Sequence, residues 1–354
     1  MSVAFYAPLK PADHPTPSGD RAMARALISA LKLGGYDVTV ASDLRLYDGS
    51  GDSVAQDALF AAATDEVARI IASPAAKTWR VWLTYHNYYK APDLIGPAVA
   101  RTLGIPYLQI ESTRARKRLV GPWARFATAA EAASDAAHTI FYVTLRDAET
   151  LQRDAPKGQI LRHLPPFLAR SELPAASTLQ GAMLSVAMMR HGDKLASYQM
   201  IAQTLAALPT TLDWHLDIAG DGPARSEVAA LMAPFGSRVT LLGALGPEAL
   251  ATQYAKARLL LWPGVNEAFG LTYLEAQAAG IPVVAQDRPG VCDVVFCSLV
   301  DQNLGPAGMA AEVVRLYDAK TAQITGSQAR ARIAKQHLLG AAAAIMAETI
   351  EALL

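Results

Sequence analysis

Two alternating rhythms run along the chain. Short β-branched and aromatic runs are followed by longer stretches with apolar side chains at helical spacing. Residues 2–7 form the first short run, and 10–20, rich in proline and ending Ser18-Gly19-Asp20, read as a loop. A helix follows over 22–33, stopped by Gly34-Gly35 before a second strand over 36–41. The rhythm continues with a helix over 53–73, a strand over 80–85, a helix over 94–103 and a strand over 105–111. An Ala-rich helix over 124–137, a strand over 139–143 and a helix near 147–153 complete a first half that predicts a parallel, helix-covered sheet.

Residues 164–177, LPPFLARSELPAAS, have no sustained periodicity and read as a linker. Beyond it a second series begins, with a strand over 183–188, a helix over 195–208, and strands over 214–219, 239–242, 259–262 and 281–285. The Ala-rich stretch 328–354 reads as terminal helix. The expectation is an α/β protein of two doubly wound parallel-sheet domains facing a cleft at the carboxyl ends of both sheets. The first spans 1–170, joined by the terminal helix at about 338–354, and the second spans 171–337.

A length of 354 residues fits two domains of roughly 150 each. Hydrophobic residues at 52% and charged ones at 18% exclude disorder over most of the chain. Thirty-two Lys+Arg balance thirty-two Asp+Glu, so no whole-molecule field draws nucleic acid. Cys292 and Cys297 are too few for a disulfide framework or a four-ligand zinc site, and read as buried small hydrophobes without catalytic role. The first residues carry no basic segment before their short apolar run, and no apolar stretch approaches the ~18 residues of a span. A cytoplasmic protein, neither secreted nor membrane-spanning, is expected.

The richest segment is 259–286, LLLWPGVNEAFGLTYLEAQAAGIPVVAQ, which reads strand, loop, helix, strand. Glu267 falls in the loop, the helix opens near Phe269-Gly270-Leu271, and Glu275 lies about one turn inside. Free backbone N–H groups at the helix mouth favour an anion, and Gly270 lets a phosphate approach. The two carboxylates can accept hydrogen bonds from hydroxyls of a sugar and a ribose. A single acidic residue near a helix start is ordinarily dipole compensation. The pair, bracketing an apolar stretch before Gly-Ile-Pro-Val-Val, is more specific.

E267-AFGLTYL-E275 followed by AQAAGIPVVA resembles the Glu, seven residues, Glu signature of the retaining glycosyltransferases of family four. The resemblance implies a GT-B fold of two Rossmann-like domains and transfer of a hexose-type sugar from a nucleoside diphosphate sugar to an acceptor hydroxyl. It implies a metal-independent reaction with no cofactor beyond the donor, serving cell-surface glycan or glycolipid synthesis. It gives Glu267 the hydroxyls of the transferred sugar, Glu275 the ribose, and the amides of Phe269, Gly270 and Leu271 the pyrophosphate. Arg190 and Lys194, four positions apart, take the place of the family's Arg and Lys that neutralise the leaving diphosphate, one residue closer than the commonest spacing. Gly220-Asp221-Gly222-Pro223 resembles the family's GDGP turn, where glycines allow a base or ribose close to the backbone. In the first domain Gly19, in the loop 17–21, would reach the donor phosphate, and His86 would hold the reacting sugar.

Arg114, Arg116, Lys117, Arg118 and Arg125 surround Trp123. The plain reading is a solvated or phosphate-facing loop, and the sharper one is peripheral docking at the inner face of a membrane, since family acceptors are often lipid-linked or polysaccharide. Two other functions fit the same residues: a GT-B-type sugar-nucleotide epimerase and a non-catalytic nucleotide-sugar-binding protein. A nicotinamide dehydrogenase is disfavoured because the first βα turn lacks G-x-G-x-x-G.

Overall fold

A computed structural model describes residues 1–15 and 19–354. The chain divides into two compact units, Met1–Pro165 with Leu339–Leu354, and Pro166–Leu338. The division falls ahead of the expected position, because the backbone N–H of Leu168 already bonds the His337 carbonyl of the second unit at 2.8 Å.

In the first unit, β1 (Ser2–Tyr6), α1 (Gly19–Leu33), β2 (Asp37–Ser42), α2 (Ser53–Ala72), β3 (Trp79–Asn87), α3 (Gly96–Leu103) and β4 (Tyr107–Ser112) follow in turn. After them come α4 (Ala124–Ala136), β5 (Thr139–Tyr142), α5 (Leu145–Asp154) and β6 (Ile160–His163). Among the described residues six parallel strands pair in the order β2-β1-β3-β4-β5-β6. Helix α1 opens at Gly19, earlier than the expected 22, with Asp20 in its first turn complementing the helix dipole. Pro17 and Ser18 of the expected loop lie outside the described residues. Strand β6 was not anticipated; its four residues ILRH are too short and too polar to show a period.

The β3 exit is braced by a buried polar network. Asn87 donates to the Ala130 carbonyl at 2.9 Å and accepts from the Asp93 N–H at 2.9 Å. Asp93 in turn accepts from Thr84 and Tyr107 and from the N–H groups of Ile95 and Gly96 at the start of α3. Burial raises the Asp93 pKa even against these bonds.

The second unit comprises β7 (Met183–Val186), α6 (Asp193–Ala206), β8 (Leu216–Ala219), α7 (Arg225–Met232), β9 (Val239–Gly243) and α8 (Pro247–Tyr254). It continues through β10 (Leu260–Leu261), α9 (Leu271–Ala278), β11 (Val283–Val284), α10 (Gly305–Leu316) and α11 (Ala319–Gln336). Its described strands, again all parallel, pair as β11-β10-β7-β8-β9. The core is aliphatic and aromatic, with Trp262, Tyr198 and Tyr273 among its largest buried side chains.

The terminal stretch is two helices, not one. The chain breaks at His337 and Leu338, and α12 (Leu339–Glu351) belongs to the first unit, where it packs on α1. His337 cannot extend α11, because its ring nitrogen Nδ1 lies 2.6 Å from the Pro166 carbonyl and Leu338 pairs with Leu168. In the first unit, Arg162 of β6 donates to Glu348 of α12 at 2.5 Å.

Candidate functional site

In an open parallel sheet a ligand binds beyond the carboxyl ends of the strands, where the strand order reverses. In the second unit that reversal lies between β7 and β10. Arg190 and Lys194 follow β7, and Glu267 follows β10, so both sides of the switch point carry charged groups.

Lys194, in the first turn of α6, donates from Nζ to Glu267 Oε2 at 2.5 Å. Trp262 Nε1 donates to the same oxygen at 3.1 Å, and Lys194 Nζ lies 5.2 Å from the indole centroid. Glu267 is thereby fixed by two donors from different elements. The loop reaches this arrangement through backbone turns at Gly264 (φ 79°), Asn266 (φ 49°) and Gly270 (φ 71°). A Cβ at Gly270 would come within 2.9 Å of the Tyr273 ring and 3.0 Å of Glu267 Cγ, so glycine is needed for the turn and for the approach of Glu267 to α9. Phe269 and Leu271 flank it half-buried, and the first bond of the helix mouth is that of the Tyr273 N–H to the Gly270 carbonyl at 3.0 Å, so the amides of Leu271 and Thr272 precede it.

Arg190 is exposed, and its side chain makes no ion pair among the described residues; its carbonyl accepts the Leu195 N–H at 3.0 Å. Of the two cations, Lys194 is the one in contact with Glu267. Gly220 and Gly222 pack tightly against the chain on the side where a side chain would stand. A Cβ at either would collide with the carbonyl of Ala187 or Met189. Their role in the fold is to let the turn lie against the strand exit leading to Arg190, where Met189 N–H bonds the Asp221 carbonyl at 2.9 Å and Ala224 N–H bonds the Met189 carbonyl at 2.9 Å. Asp221 caps its own turn through the Gly222 N–H at 2.8 Å and lies 3.3 Å from Arg225.

Glu275 lines a cavity of about 650 Å³ within the second unit. Leu245, Pro247, Leu250 and Ala251 form apolar walls, and Arg170 and Tyr254 add polar atoms. Tyr254 donates to Glu275 Oε2 at 2.8 Å. Burial raises the Glu275 pKa, opposed by that hydrogen bond and by the Arg170 charge. None of the other expected donor-binding residues lines this cavity. The sequence reading missed Tyr254 and Trp262 as partners of the carboxylates, Arg170 as a cavity residue, and helix α8 as a wall. Gly246-Pro247-Glu248 was the available signal, since proline suits the first helical position and an acid the first turn.

The first unit has its own reversal of strand order, between β1 and β3. Gly19 and Asp20 open the helix after β1, and His86 lies at the end of β3. A Cβ at Gly19 would meet nothing within 4 Å. His86 (φ 70°) and Glu111 (φ 57°), at the ends of adjacent strands β3 and β4, both adopt left-handed backbone, a strain that concentrates at functional positions. His86 Nε2 lies 3.6 Å from Asp20 Oδ1, an ion-pair distance. Burial alone would depress the His86 pKa, but Glu111 and Asp20 outweigh it and hold it above the ordinary value. Burial raises Glu111 as well, against the His86 charge.

Two expectations are corrected. Cys292 is exposed rather than buried, since it sits on the turn after Gly290; Cys297 is partly covered, and burial lifts its thiol to about 11. The basic segment near Trp123 is not uniformly solvated. Arg114 is buried between Glu131 at 2.8 Å and Asp135 at 2.6 Å, Arg116 pairs with Asp154 at 3.0 Å, and Arg125 pairs with Asp57. Among the described residues no helix is long and apolar enough to cross a membrane.

Residues 182–319 match the family model described as Glycosyl transferases group 1. A GDP-mannose-dependent alpha-mannosyltransferase of Corynebacterium glutamicum is 35% identical over 121 residues, which are 34% of this chain and 26% of that protein. A 2-deoxystreptamine glucosyltransferase of Streptomyces kanamyceticus is 32% identical over 105 residues, 29% of this chain and 27% of that protein. The chain thus spans about a quarter of the length of these curated relatives. Among solved structures, sucrose-phosphate synthase from Thermosynechococcus elongatus superposes with a TM-score of 0.72 at 19% identity, covering 100% of this chain and 99% of that one. Anabaena HepE in complex with UDP and glucose gives 0.71 at 15% identity, with 100% of both chains covered. The fold is GT-B, two parallel-sheet α/β units, and the stretch 182–319 of the second unit is similar to group 1 glycosyltransferases.

Proposed function

We propose that the protein is a retaining glycosyltransferase that moves a hexose-type sugar from a nucleoside diphosphate sugar to an acceptor hydroxyl. The observation that carries this reading is the placement of two carboxylates about one helix. Glu275 opens into a nucleoside-sized cavity, while Glu267 is held by Lys194 and Trp262 at the mouth of the same α9.

In this reading the base lies against Leu245, Pro247 and Leu250, and Glu275 accepts from the ribose hydroxyls. The diphosphate meets the amides of Phe269, Gly270 and Leu271 together with Arg190 and Lys194, while Glu267 accepts from the transferred sugar. Gly19 and His86 keep the roles that the resemblance assigns, at the donor phosphate and the sugar. Gly220, Asp221 and Gly222 keep the donor-side role that the resemblance assigns, beside the base or ribose, and also support the Arg190 segment. Negative charge grows on the departing diphosphate as the glycosidic bond breaks, so cations and amides already aimed there strengthen their hold in the transition state. The acceptor oxygen attacks the anomeric carbon on the face that the diphosphate leaves, and a phosphate oxygen takes the acceptor proton. Configuration is retained without a side-chain base, and the fixed positive groups supply the stabilisation that a metal supplies elsewhere. Arg114, Arg116 and Arg125 are neutralised within the fold, so these three arginines do not serve peripheral membrane contact.

Incubation with a panel of UDP-, GDP- and ADP-sugars tests this. Calorimetry should detect nucleoside diphosphate binding that depends on Glu275, and the glycoside product should keep the donor's anomeric configuration. Binding of no nucleotide by the intact protein, or formation of an isomeric sugar with no glycoside, would overturn it.

A further inference from the structure

Two cations in the first unit share one aromatic platform. Tyr89 and Trp123 meet edge to face, with ring centroids 5.7 Å apart and an interplanar angle of 89°. Arg118 Cζ lies 4.9 Å from the Tyr89 centroid and 5.5 Å from that of Trp123. Lys90 Nζ lies 5.8 Å and 5.2 Å from the same two rings. Ring faces attract cations, but they do not neutralise them. Among the described residues neither Lys90 nor Arg118 has an ion pair, whereas Arg114, Arg116 and Arg125 nearby in sequence are all matched to carboxylates. Arg118 Nε is shielded from solvent with no hydrogen-bond partner. A buried donor in that state is costly unless something accepts from it.

The platform is built rigidly. Trp123 Nε1 donates to the Asp48 carbonyl at 3.2 Å, and the Asp48 N–H donates to the Lys90 carbonyl at 2.9 Å. Gln56 bridges Asp48 and the Pro122 carbonyl at 2.7 and 3.1 Å. The Asp48 carboxylate is already engaged by Gln56 and by the N–H groups of Ser50 and Gly51, so it is not spent on the two cations. Lys90 follows His86 by four residues on the exit of β3, which places the pair beside the strand-order reversal of this unit.

We infer that Lys90 and Arg118 bind a phosphate group carried by the acceptor. Assignment to the acceptor rests on the glycosyltransferase reading; recognition of phosphate does not. An ammonium and a guanidinium held against the same two rings can each give an oxyanion charge-assisted hydrogen bonds, the guanidinium through its planar fork. The phosphate has two sources, a soluble sugar phosphate or a phospholipid headgroup, and Leu119 and Val120 stand exposed beside Arg118.

The test uses the full chain, glucose 6-phosphate against glucose by calorimetry, and sedimentation with phosphatidylcholine vesicles with or without phosphatidylglycerol. Either glucose 6-phosphate binds at least about tenfold more tightly than glucose, or vesicle binding requires phosphatidylglycerol. The first result identifies a soluble phosphate and the second a lipid-borne one. In the Lys90→Gln/Arg118→Gln variant that binding falls about tenfold or more, while UDP or GDP affinity and the melting temperature stay unchanged. Lys90→Gln alone, which leaves Arg118 against the same two rings, should show a smaller loss of the same kind. No preference for phosphate in either arm, or a preference that survives both variants, overturns the proposal. If no donor sugar is turned over yet phosphate binding behaves as stated, the catalytic reading fails and the phosphate site stands.

Discussion

Lys194 and Glu267 meet at 2.5 Å although 73 residues separate them, one from the first turn of α6 and the other from the loop before α9. Both side chains are largely shielded, at 29% and 15% exposure, so the pair is more than a surface ion pair. An ammonium held there is ready to follow charge that grows on a leaving group. Lys194→Met should therefore lower kcat by about a hundredfold to a thousandfold, as loss of one transition-state donor does. Lys194→Arg should recover part of it. Steady-state release of nucleoside diphosphate measures both, and a Met variant with unaltered kcat would remove Lys194 from the mechanism.

Glu275 separates binding from stability. Its pKa is raised chiefly by burial, so between the unfolded and folded values the native protein holds a proton that the unfolded chain releases. Stability is accordingly lost as pH rises through that window. Glu275→Gln should flatten the dependence and leave the protein at least as stable at pH 8 as the parent. The same change removes a charged acceptor for ribose, and nucleotide affinity should fall about tenfold or more. Thermal melts at pH 4 and 8 with calorimetry for UDP and GDP give the two readouts; unchanged affinity would take Glu275 out of the nucleotide site.

These relationships differ in how far the sequence revealed them. The loop-helix-strand order around Glu267 and Glu275 was legible, because Gly270 and Gly280 punctuate an apolar helix and Pro282 forbids its extension. The contact of Lys194 with Glu267 was not, since spacing within one segment carries no information about which strand its neighbour will follow. The close packing of Gly220 and Gly222 against the Ala187 and Met189 carbonyls was not legible either, because that pairing is set by the adjacency of β7 and β8. Arg170 lay in a segment without period and so offered no pattern, although tertiary packing brings it to the cavity beside Glu275. The pairing of Arg114 with Glu131 and Asp135 was similarly hidden, because charge counts along a segment ignore partners on the following helix.

Gly290 holds the Glu267 loop from behind. Its φ is 85°, and a Cβ would fall onto the Ala268 carbonyl. Gly290→Ala combines left-handed strain with overpacking and should cost about 2–4 kcal/mol, lowering the melting temperature by several degrees. Turnover should fall further than stability alone explains, since the displaced segment carries Glu267. Gly280→Ala is the control. It has a similar φ of 70°, but its Cβ would meet only the Arg330 side chain at 3.5 Å and the Gly326 carbonyl at 4.0 Å, so about 1–2 kcal/mol is expected and no specific loss of turnover. Equal effects of the two substitutions on activity per folded molecule would contradict this account.

His86 offers a test within the first unit that needs no substrate. Burial opposes its protonation, but Glu111 from β4 and Asp20 from α1 together raise its pKa. A histidine whose folded pKa exceeds its unfolded one stabilises fully below about 6.5, and that contribution is lost as pH rises through the folded value. Glu111, also raised, shifts stability in the same direction from a lower pH, so the histidine must be isolated by substitution. His86→Gln keeps a polar side chain of similar size and cannot titrate. Urea unfolding at pH 6 and pH 9 should show a larger drop for the parent than for the variant, the difference lying above pH 6.5. An equal drop in both proteins would mean that folding leaves the imidazole pKa unshifted, and that its left-handed backbone rather than its charge is what the site uses.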